Sequence, residues 1–273
     1  MSDTGLHARV KGSGAATPVV LLHGFGGGID DWYDIQPDLA RDRPALAYDL
    51  PGHGRSVDHP AAGNAGQMAK AILADMDARG IARAHVAGFS MGGAVACLMA
   101  LRAGGRVASL TLLAPGGFGP EINGPLLLRY AAPDDTDELR AAMNDMAGPD
   151  YEFETKHVAS LAALRRIEGQ RGRLEAIHSM IAQDGRQGEI PRESLVKLAM
   201  PVTVVWGTED PVLPFSQTAG LPPAFHFIPV PGAGHMLLVE ARKTVTAAIR
   251  STIRRASQAR SAAAHGQATP HTD

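Results

Sequence analysis

Short apolar runs recur along the chain, each followed by residues typical of turns. The runs show little polar alternation, which is typical of strands covered by helices on both faces. Between them lie stretches with apolar residues at helical spacing, such as residues 65–79. Alternating strands and helices predict an α/β fold with a mostly parallel twisted sheet flanked by helices. The strand candidates are residues 18–22, 45–48, 84–87, 109–113, 201–206 and 225–230.

The alternation stops between residues 119 and 197, where helical segments follow one another without a convincing strand. We interpret this interval as a helical cap inserted into a core formed by residues 1–118 and 198–256. A last helix is predicted from about Leu237 to Arg255. Residues 257–273 contain few large apolar side chains, so we expect a frayed helix end and a disordered tail there.

The composition indicates which partners and locations to expect. The 273 residues are 45% hydrophobic and 20% charged, with a formal net charge of −2, which argues against nucleic acid as a partner. The single cysteine, Cys97, lies in an apolar run and is interpreted as a small buried hydrophobe. No signal-peptide pattern opens the chain, and no apolar run approaches the roughly 18 residues of a membrane span. We therefore expect a cytoplasmic protein; its oligomeric state is left open.

The segment GFSMGG at residues 88–93 places one serine between glycines. The preceding run predicts a strand and the following run predicts a helix, so Ser90 lies on a strand-to-helix turn. Side chains at Gly88 and Gly92 would collide in so tight a turn. The turn exposes the Ser90 hydroxyl as a nucleophile. The Met91 N–H, at the start of the helix, is a candidate donor to an oxyanion.

A glycine-rich loop, HGFGGG at residues 23–28, follows an earlier strand candidate and predicts the second oxyanion donor. The Phe25 N–H is the candidate, with Gly24 and Gly26 shaping the loop at the edge of the pocket. His23 could be taken for a catalytic base. We interpret it as bracing the loop, because a better base exists.

A serine hydroxyl needs a base to take its proton and a carboxylate to orient that base. Asp210 lies in WGTEDP and His235 in GAGHM, in loops that follow the last two strand candidates. His235 is the histidine with a strand-then-glycine context at the right place in the order. Glu209 is the rival acid, and Asp210 is favoured because the chain turns sharply at the proline that follows it.

This order of serine, acid and histidine, with the glycine loop, resembles the α/β-hydrolase superfamily over about residues 6–255. DLPGHGRS, at residues 49–56, resembles a turn that these enzymes carry before the nucleophile strand. APGGFGPEING, at residues 114–124, is similar to the hydrolase-like domain of dihydrolipoyl acyltransferase chains of acetoin dehydrogenase. With no room for a lipoyl domain before residue 6, acyl transfer to lipoamide is not expected.

The chain also resembles, more distantly, the meta-cleavage-product hydrolases, which split carbon–carbon bonds. In those enzymes the serine commonly follows Asn and the histidine commonly precedes Trp, whereas Phe89 and Met236 stand here. The resemblance to the superfamily implies a serine hydrolase that acts through an acyl-enzyme.

We expect a small-molecule ester of a small or medium apolar acid as substrate, with no metal and no cofactor. Two alternatives remain: a C–C bond hydrolase, and a catalytically silent protein that binds a small ligand. The cap should set the substrate. Besides the two loop glycines, candidate pocket residues are Leu126, Tyr130, Met143, Met146, Tyr151, Phe153 and Met236.

Overall fold

The computed structural model describes residues 5–133 and 135–266 of the chain. Its strands form one seven-stranded sheet in the order β1-β3-β2-β4-β5-β6-β7. All neighbouring pairs are parallel except β1 with β3, which are antiparallel. The α/β fold predicted from the apolar runs is confirmed. The strands are β1 (Ala8–Lys11), β2 (Val19–Leu22), β3 (Ala45–Tyr48), β4 (Ala84–Phe89), β5 (Val107–Leu113), β6 (Val202–Gly207) and β7 (His226–Val230).

Helices connect the strands and cover the sheet. The core contains α1 (Gln36–Leu39), α2 (Ala65–Ala78), α3 (Met91–Arg102), α9 (Leu237–Glu240) and α10 (Arg242–Gly266). Between β5 and β6 lie α4 (Gly124–Ala131), α5 (Thr136–Met146), α6 (Thr155–Arg165), α7 (Gln170–Ile181) and α8 (Arg192–Leu195). Short 3-10 helices occupy Ile29–Trp32, Gly54–Ser56, Gly104–Arg106 and Phe215–Thr218. We call residues 119–197, with their five helices, the cap.

The central strands are buried along their whole length, because α3 and the other core helices cover both faces of the sheet. Every residue of β2, β3, β4, β5 and β6 is buried. Unbroken apolar strands of this kind can only lie inside a sheet covered on both faces, as the run pattern predicted. Since β4, β6 and β7 are parallel, the loops that follow them emerge at the same edge of the sheet.

Three local features differ from the sequence prediction. Strand β1 was not predicted; it is a short edge strand with partly exposed residues, so it lacks an apolar run. The predicted last helix is divided at Ala241 into α9 and α10. The predicted tail was wrong for residues 257–266, which continue α10, while residues 267–273 lie outside the described residues. Residues 257–262 are exposed, so intrinsic helix propensity supports the helix there without burial.

A membrane-spanning helix is not found in the part of the chain that the structure describes, since none of its helices is both long and apolar enough.

Candidate active site

The turn between β4 and α3 holds Ser90 in a backbone conformation that side-chain-bearing residues rarely adopt, with φ 53° and ψ −117°. The Ser90 N–H donates to the Leu113 carbonyl of β5 at 2.9 Å, which ties the turn to the neighbouring strand. A Cβ atom at Gly88 would lie 2.2 Å from the Gly92 carbonyl oxygen, and one at Gly92 would lie 2.3 Å from the His23 carbonyl oxygen. Glycines therefore stand where the main chain leaves no room for a side chain.

The side chains of Ser90, His235 and Asp210 form a continuous hydrogen-bonded chain. His235 Nδ1 lies 2.8 Å from Asp210 Oδ2, and His235 Nε2 lies 2.9 Å from Ser90 Oγ. The Asp210 carboxylate accepts, so Nδ1 carries the proton and Nε2 is free to accept from the serine hydroxyl. All three residues are buried, with 7%, 1% and 7% exposure for Ser90, His235 and Asp210. The arrangement can pass a proton from a nucleophile to a base.

Main-chain donors hold the Asp210 carboxylate in place. Its second oxygen, Oδ1, accepts from the N–H groups of Val212 and Leu213, each at 2.9 Å. These bonds follow from the sharp turn at Pro211. Glu209, the rival acid of the sequence analysis, is exposed, and its carboxylate contacts the Thr208 hydroxyl instead.

The glycine loop after β2 runs directly beside Ser90. A Cβ at Gly24 would lie 3.2 Å from Ser90 Cβ and 3.0 Å from the Phe89 ring. Met91 opens α3, so its N–H belongs to the first turn, where helical N–H groups lack an intrahelical acceptor. Within the described residues, neither the Phe25 N–H nor the Met91 N–H donates to another protein atom. Two donors are thus available next to the serine.

Buried side chains fix the shape of this loop. His23 donates from Nδ1 to the Gly24 carbonyl at 2.7 Å and accepts at Nε2 from the Leu50 N–H at 2.9 Å. His53 Nε2 accepts from the Gly26 N–H at 3.1 Å. Arg165 of α6 donates to the Gly26 carbonyl at 2.6 Å.

Burial also sets the charge of these groups. Desolvation lowers the pKa of His23, and it lowers the pKa of His53 further still, with a smaller contribution from the nearby His23. Both imidazoles are therefore neutral at pH 7, and each keeps one nitrogen free to accept a main-chain N–H. Desolvation lowers the pKa of Arg165 as well, although guanidinium stays charged.

Comparison with known proteins agrees with this geometry. Residues 17–241 match the family described as alpha/beta hydrolase fold. The chain belongs to the alpha/beta hydrolases.

The most similar relatives include two kinds of protein, and both were predicted from the motifs. A dihydrolipoyllysine-residue acetyltransferase component of the acetoin cleaving system from Pseudomonas putida is 35% identical over 89% of this chain. The chain spans 65% of that relative's length. A 2-hydroxy-6-oxononadienedioate/2-hydroxy-6-oxononatrienedioate hydrolase from Cupriavidus pinatubonensis is 30% identical over 80% of each chain. These relatives confirm the resemblances given in the sequence analysis.

Among solved structures, a 2-hydroxy-6-oxo-6-phenylhexa-2,4-dienoate hydrolase from Rhodococcus superposes with a TM-score of 0.78 and 25% identity. The match covers 91% of this chain and 94% of that one. The shared fold thus includes the cap as well as the sheet. The relatives and this solved structure thus share the alpha/beta hydrolase fold of this chain.

The edge of the sheet that carries Ser90 opens into a narrow cleft of about 60 Å³ beside His235. Six of the nine predicted pocket residues line it: Gly24, Tyr130, Met143, Met146, Phe153 and Met236. Ser90 lies in its lining, and so does Leu127. The cleft is also lined by polar residues of α6 and of the first 3-10 helix and the residues just after it, namely Asp30, Asp31, Asp34, His157 and Ser160.

A larger cavity of about 480 Å³ also adjoins Ser90. Ser90, Phe25 and Leu127 line both spaces, so the two meet at the serine. The cavity is mainly apolar, which suits a hydrocarbon group. Its walls come from elements that lie far apart in the chain, so it was not predicted from the sequence. They include Leu98, Leu101, Ile122, Met180, Ile181, Ile190, Val212 and Leu213.

The pocket prediction was wrong for three residues, which line neither space. Leu126 is buried on another face of α4, because a helix turns by about 100° per residue and Leu127 takes the inner position. Tyr151 stacks edge-on against Phe153 with ring centres 4.9 Å apart. At Gly26, a Cβ would lie 2.8 Å from both Arg165 and the Tyr130 ring, so these side chains cover it.

Two polar residues near the site were also missed. Arg165 was predicted only as part of a cap helix, and Glu240 as part of the last helix. A charged residue among the apolar positions of a helix was the available signal for Arg165, which is 2% exposed. Its partner Gly26 is 139 residues away, and helical periodicity does not reveal such a pairing.

Proposed function

We propose that this alpha/beta hydrolase cleaves carboxylic esters of small to medium apolar acyl groups through Ser90, His235 and Asp210. The observation that carries the proposal is the hydrogen-bonded chain from Ser90 Oγ through His235 to Asp210, at 2.9 and 2.8 Å. Two free main-chain donors and two cavities adjoin its reactive end.

The reaction has two halves. Ser90 Oγ attacks the ester carbonyl while His235 Nε2 takes its proton, and Asp210 stabilises the imidazolium that forms. The N–H groups of Phe25 and Met91 hold the oxyanion. His235 then gives the proton to the departing alcohol, which leaves an acyl group on Ser90. Water, activated by the same imidazole, attacks this acyl-enzyme and releases the acid.

The two spaces that meet at Ser90 accommodate the two sides of an ester. One group enters the cavity of about 480 Å³, whose apolar walls favour a hydrocarbon chain. The other enters the narrow cleft, where Met143 and Met146 adapt to its shape. Apolar burial supplies most of the binding energy on both sides.

A fluorophosphonate probe and a panel of p-nitrophenyl esters of increasing acyl length test the proposal. We expect the probe to label Ser90 and the esters to turn over, with Ser90→Ala losing both while its circular dichroism spectrum stays that of the parent. Turnover by the folded Ser90→Ala protein would refute the assignment. A folded parent that resists labelling would instead favour a catalytically silent ligand-binding protein.

Hydrolysis of a carbon–carbon bond is the second candidate, because relatives that match most of this chain carry the names of such hydrolases. Phe89 and Met236 distinguish this site from the pattern described for them. The Phe89 ring lies 5.0 Å from the His235 ring, so an apolar face stands beside the base. Loss of colour from a vinylogous diketone dienoate, measured beside the ester panel, separates the two reactions.

A further inference from the structure

The loop that carries His235 is held through three consecutive N–H groups. The Gly234 N–H donates to Glu240 Oε2 at 2.8 Å, and the Met236 N–H donates to Glu240 Oε1 at 2.7 Å. The His235 N–H between them donates to the Met146 carbonyl at 2.8 Å. Each peptide around the histidine therefore has a fixed partner.

The Met146 carbonyl and the Glu240 carboxylate both connect this loop to the cap. Met146 ends α5, so its carbonyl is one of those that a helix leaves without an intrahelical donor. The Glu240 carboxylate, which holds the histidine loop, also accepts from the Gly148 N–H at 2.7 Å, across 92 residues of sequence. One carboxylate thus joins the end of α5 to the histidine loop.

The main chains of residues 146–148 and 232–236 also touch directly. We call this contact, together with the Glu240 carboxylate that bridges it, the joint. A Cβ at Gly148 would lie 2.0 Å from the Gly232 carbonyl oxygen. One at Gly234 would lie 2.4 Å from the Ala147 carbonyl carbon. The backbones are therefore packed without side chains between them. A shift of residues 146–148 would displace the loop of His235, because no flexible side chain lies there to absorb it.

We propose that Glu240 is a positioning residue that sets the orientation of His235 and couples it to the end of α5. The inference rests on the proposed function, since it assigns His235 as the base. Three main-chain donors converge on one carboxylate, which is a strong arrangement because charge-assisted bonds are about twice as strong as neutral ones. Without it, the loop loses its tie to Gly148 and keeps only the bond from the His235 N–H to Met146 in that region, so the imidazole can shift relative to Ser90.

Glu240→Gln is the sharpest variant, because it keeps the size of the side chain and removes the charge and one acceptor oxygen. The amide nitrogen then faces a main-chain N–H, and because it is itself a donor it cannot accept a hydrogen bond from that group. We expect the rate of fluorophosphonate labelling and kcat for a p-nitrophenyl ester to fall by about 10- to 100-fold, since small misplacements of a base have effects of this size. KM should stay within about twofold, because the residue lines neither cavity.

The final extent of labelling separates positioning from a merely structural role. A protein that had lost part of its fold would label fewer molecules at the parental rate per site. A misplaced base labels every molecule slowly. Glu175→Gln, an exposed change of the same charge on α7, is the matched control and should keep the parental rate.

A second pair of variants tests the joint from the cap side. Gly148 lines neither cavity, yet a Cβ there would strike the Gly232 carbonyl. Gly148→Ala should therefore lower kcat with little change in KM. Gly172→Ala, on α7, places its Cβ in open space and should leave both constants unchanged.

Hydrogen exchange gives a readout that does not depend on turnover. In Glu240→Gln, amide exchange should rise together in residues 146–150 and 232–240. Parental labelling and exchange in the folded Glu240→Gln protein would overturn the inference while leaving the proposed function intact. If the parent itself is not labelled, the proposed function fails. Exchange that fails to rise in both segments would then overturn the joint as well.

Discussion

The carboxyl edge of the sheet and the cap use different means to place their side chains. At the edge, main-chain packing sets the position of the side chains. Ser90 adopts φ 53° in the turn between β4 and α3, and the main chain around Gly92 leaves no space for a Cβ. In the cap, helices pack through side chains, and a step of one residue along a helix decides which side chain faces the cleft and the large cavity. Leu127 lines both the cleft and the large cavity, whereas its neighbour Leu126 lines neither.

Under the proposed function, this difference separates chemistry from selectivity. In the proposed reaction, groups at the edge serve the ester carbonyl, which every ester shares. Groups in the cap then meet the parts by which esters differ. We therefore expect a change at the edge to lower the rate for all esters alike, and a change in the cap to alter the ratio between them.

The largest effect is expected at the edge. Asp210→Asn should lower kcat by about 10³- to 10⁴-fold. The N–H groups of Val212 and Leu213 keep the amide oxygen, so the amide nitrogen faces His235 Nδ1, where it cannot accept a hydrogen bond and favours the wrong tautomer. The loss should be the same for every acyl length. Steady-state kinetics over the p-nitrophenyl panel measures it.

Glu209→Gln is the control for this variant, since Glu209 is adjacent in sequence and exposed. It should keep parental kinetics. A loss confined to long acyl chains in Asp210→Asn, or an equal loss in Glu209→Gln, would contradict the division between edge and cap.

An intermediate effect is expected in the cap part of the large cavity. Ile181→Trp adds bulk to the wall of a cavity of about 480 Å³. The ratio of kcat/KM for long against short acyl chains should fall by about tenfold, because one or two methylenes lose their apolar surroundings. Val196→Trp introduces the same side chain at an exposed position outside both spaces and should leave the ratio unchanged. If Ile181→Trp lowered kcat/KM equally for all esters, the division between edge and cap would be contradicted.

The smallest effect concerns Asp31, which lies where the glycine loop meets the cap. Desolvation raises the pKa of Asp31 to about 7, against the opposing effects of the Gly28 N–H and Arg165. In the unfolded chain the carboxyl ionises near pH 3.9. Between these values the folded protein keeps a proton that the unfolded chain has lost, so the wild type loses stability as pH rises.

Asp31→Asn removes this loss, because an amide does not titrate. We expect the melting temperature of the variant, relative to the wild type, to rise by about 3 to 6 °C between pH 5 and pH 8, which corresponds to about 1 to 2 kcal/mol. Differential scanning calorimetry at both pH values measures it. A difference that does not change with pH would show that Asp31 ionises normally.

Much of the fold could be predicted because its information is local. Each central strand carries its own apolar run, and the turn around Ser90 needs glycine at fixed offsets. Strand β1 escaped prediction because an edge strand has polar neighbours. A frayed helix end and a disordered tail were expected over residues 257–273, yet α10 extends to Gly266.

The cavities could not be predicted in the same way. Helical spacing identified Met143 and Met146 as apolar cap residues, but spacing alone does not give the rotation of one helix against another. The large cavity combines α3, α7 and the loop of Asp210, which lie far apart in the chain. Its existence depends on how these elements pack.

The order of nucleophile, acid and base, the sheet that presents them and the glycines around Ser90 followed from the sequence, because steric and periodic rules act over a few residues. Tertiary structure alone decided the two cavities, the Arg165 bond to Gly26 and the Glu240 joint. In each of these, partners distant in the chain meet through packing, and no local rule specifies which residues will face each other.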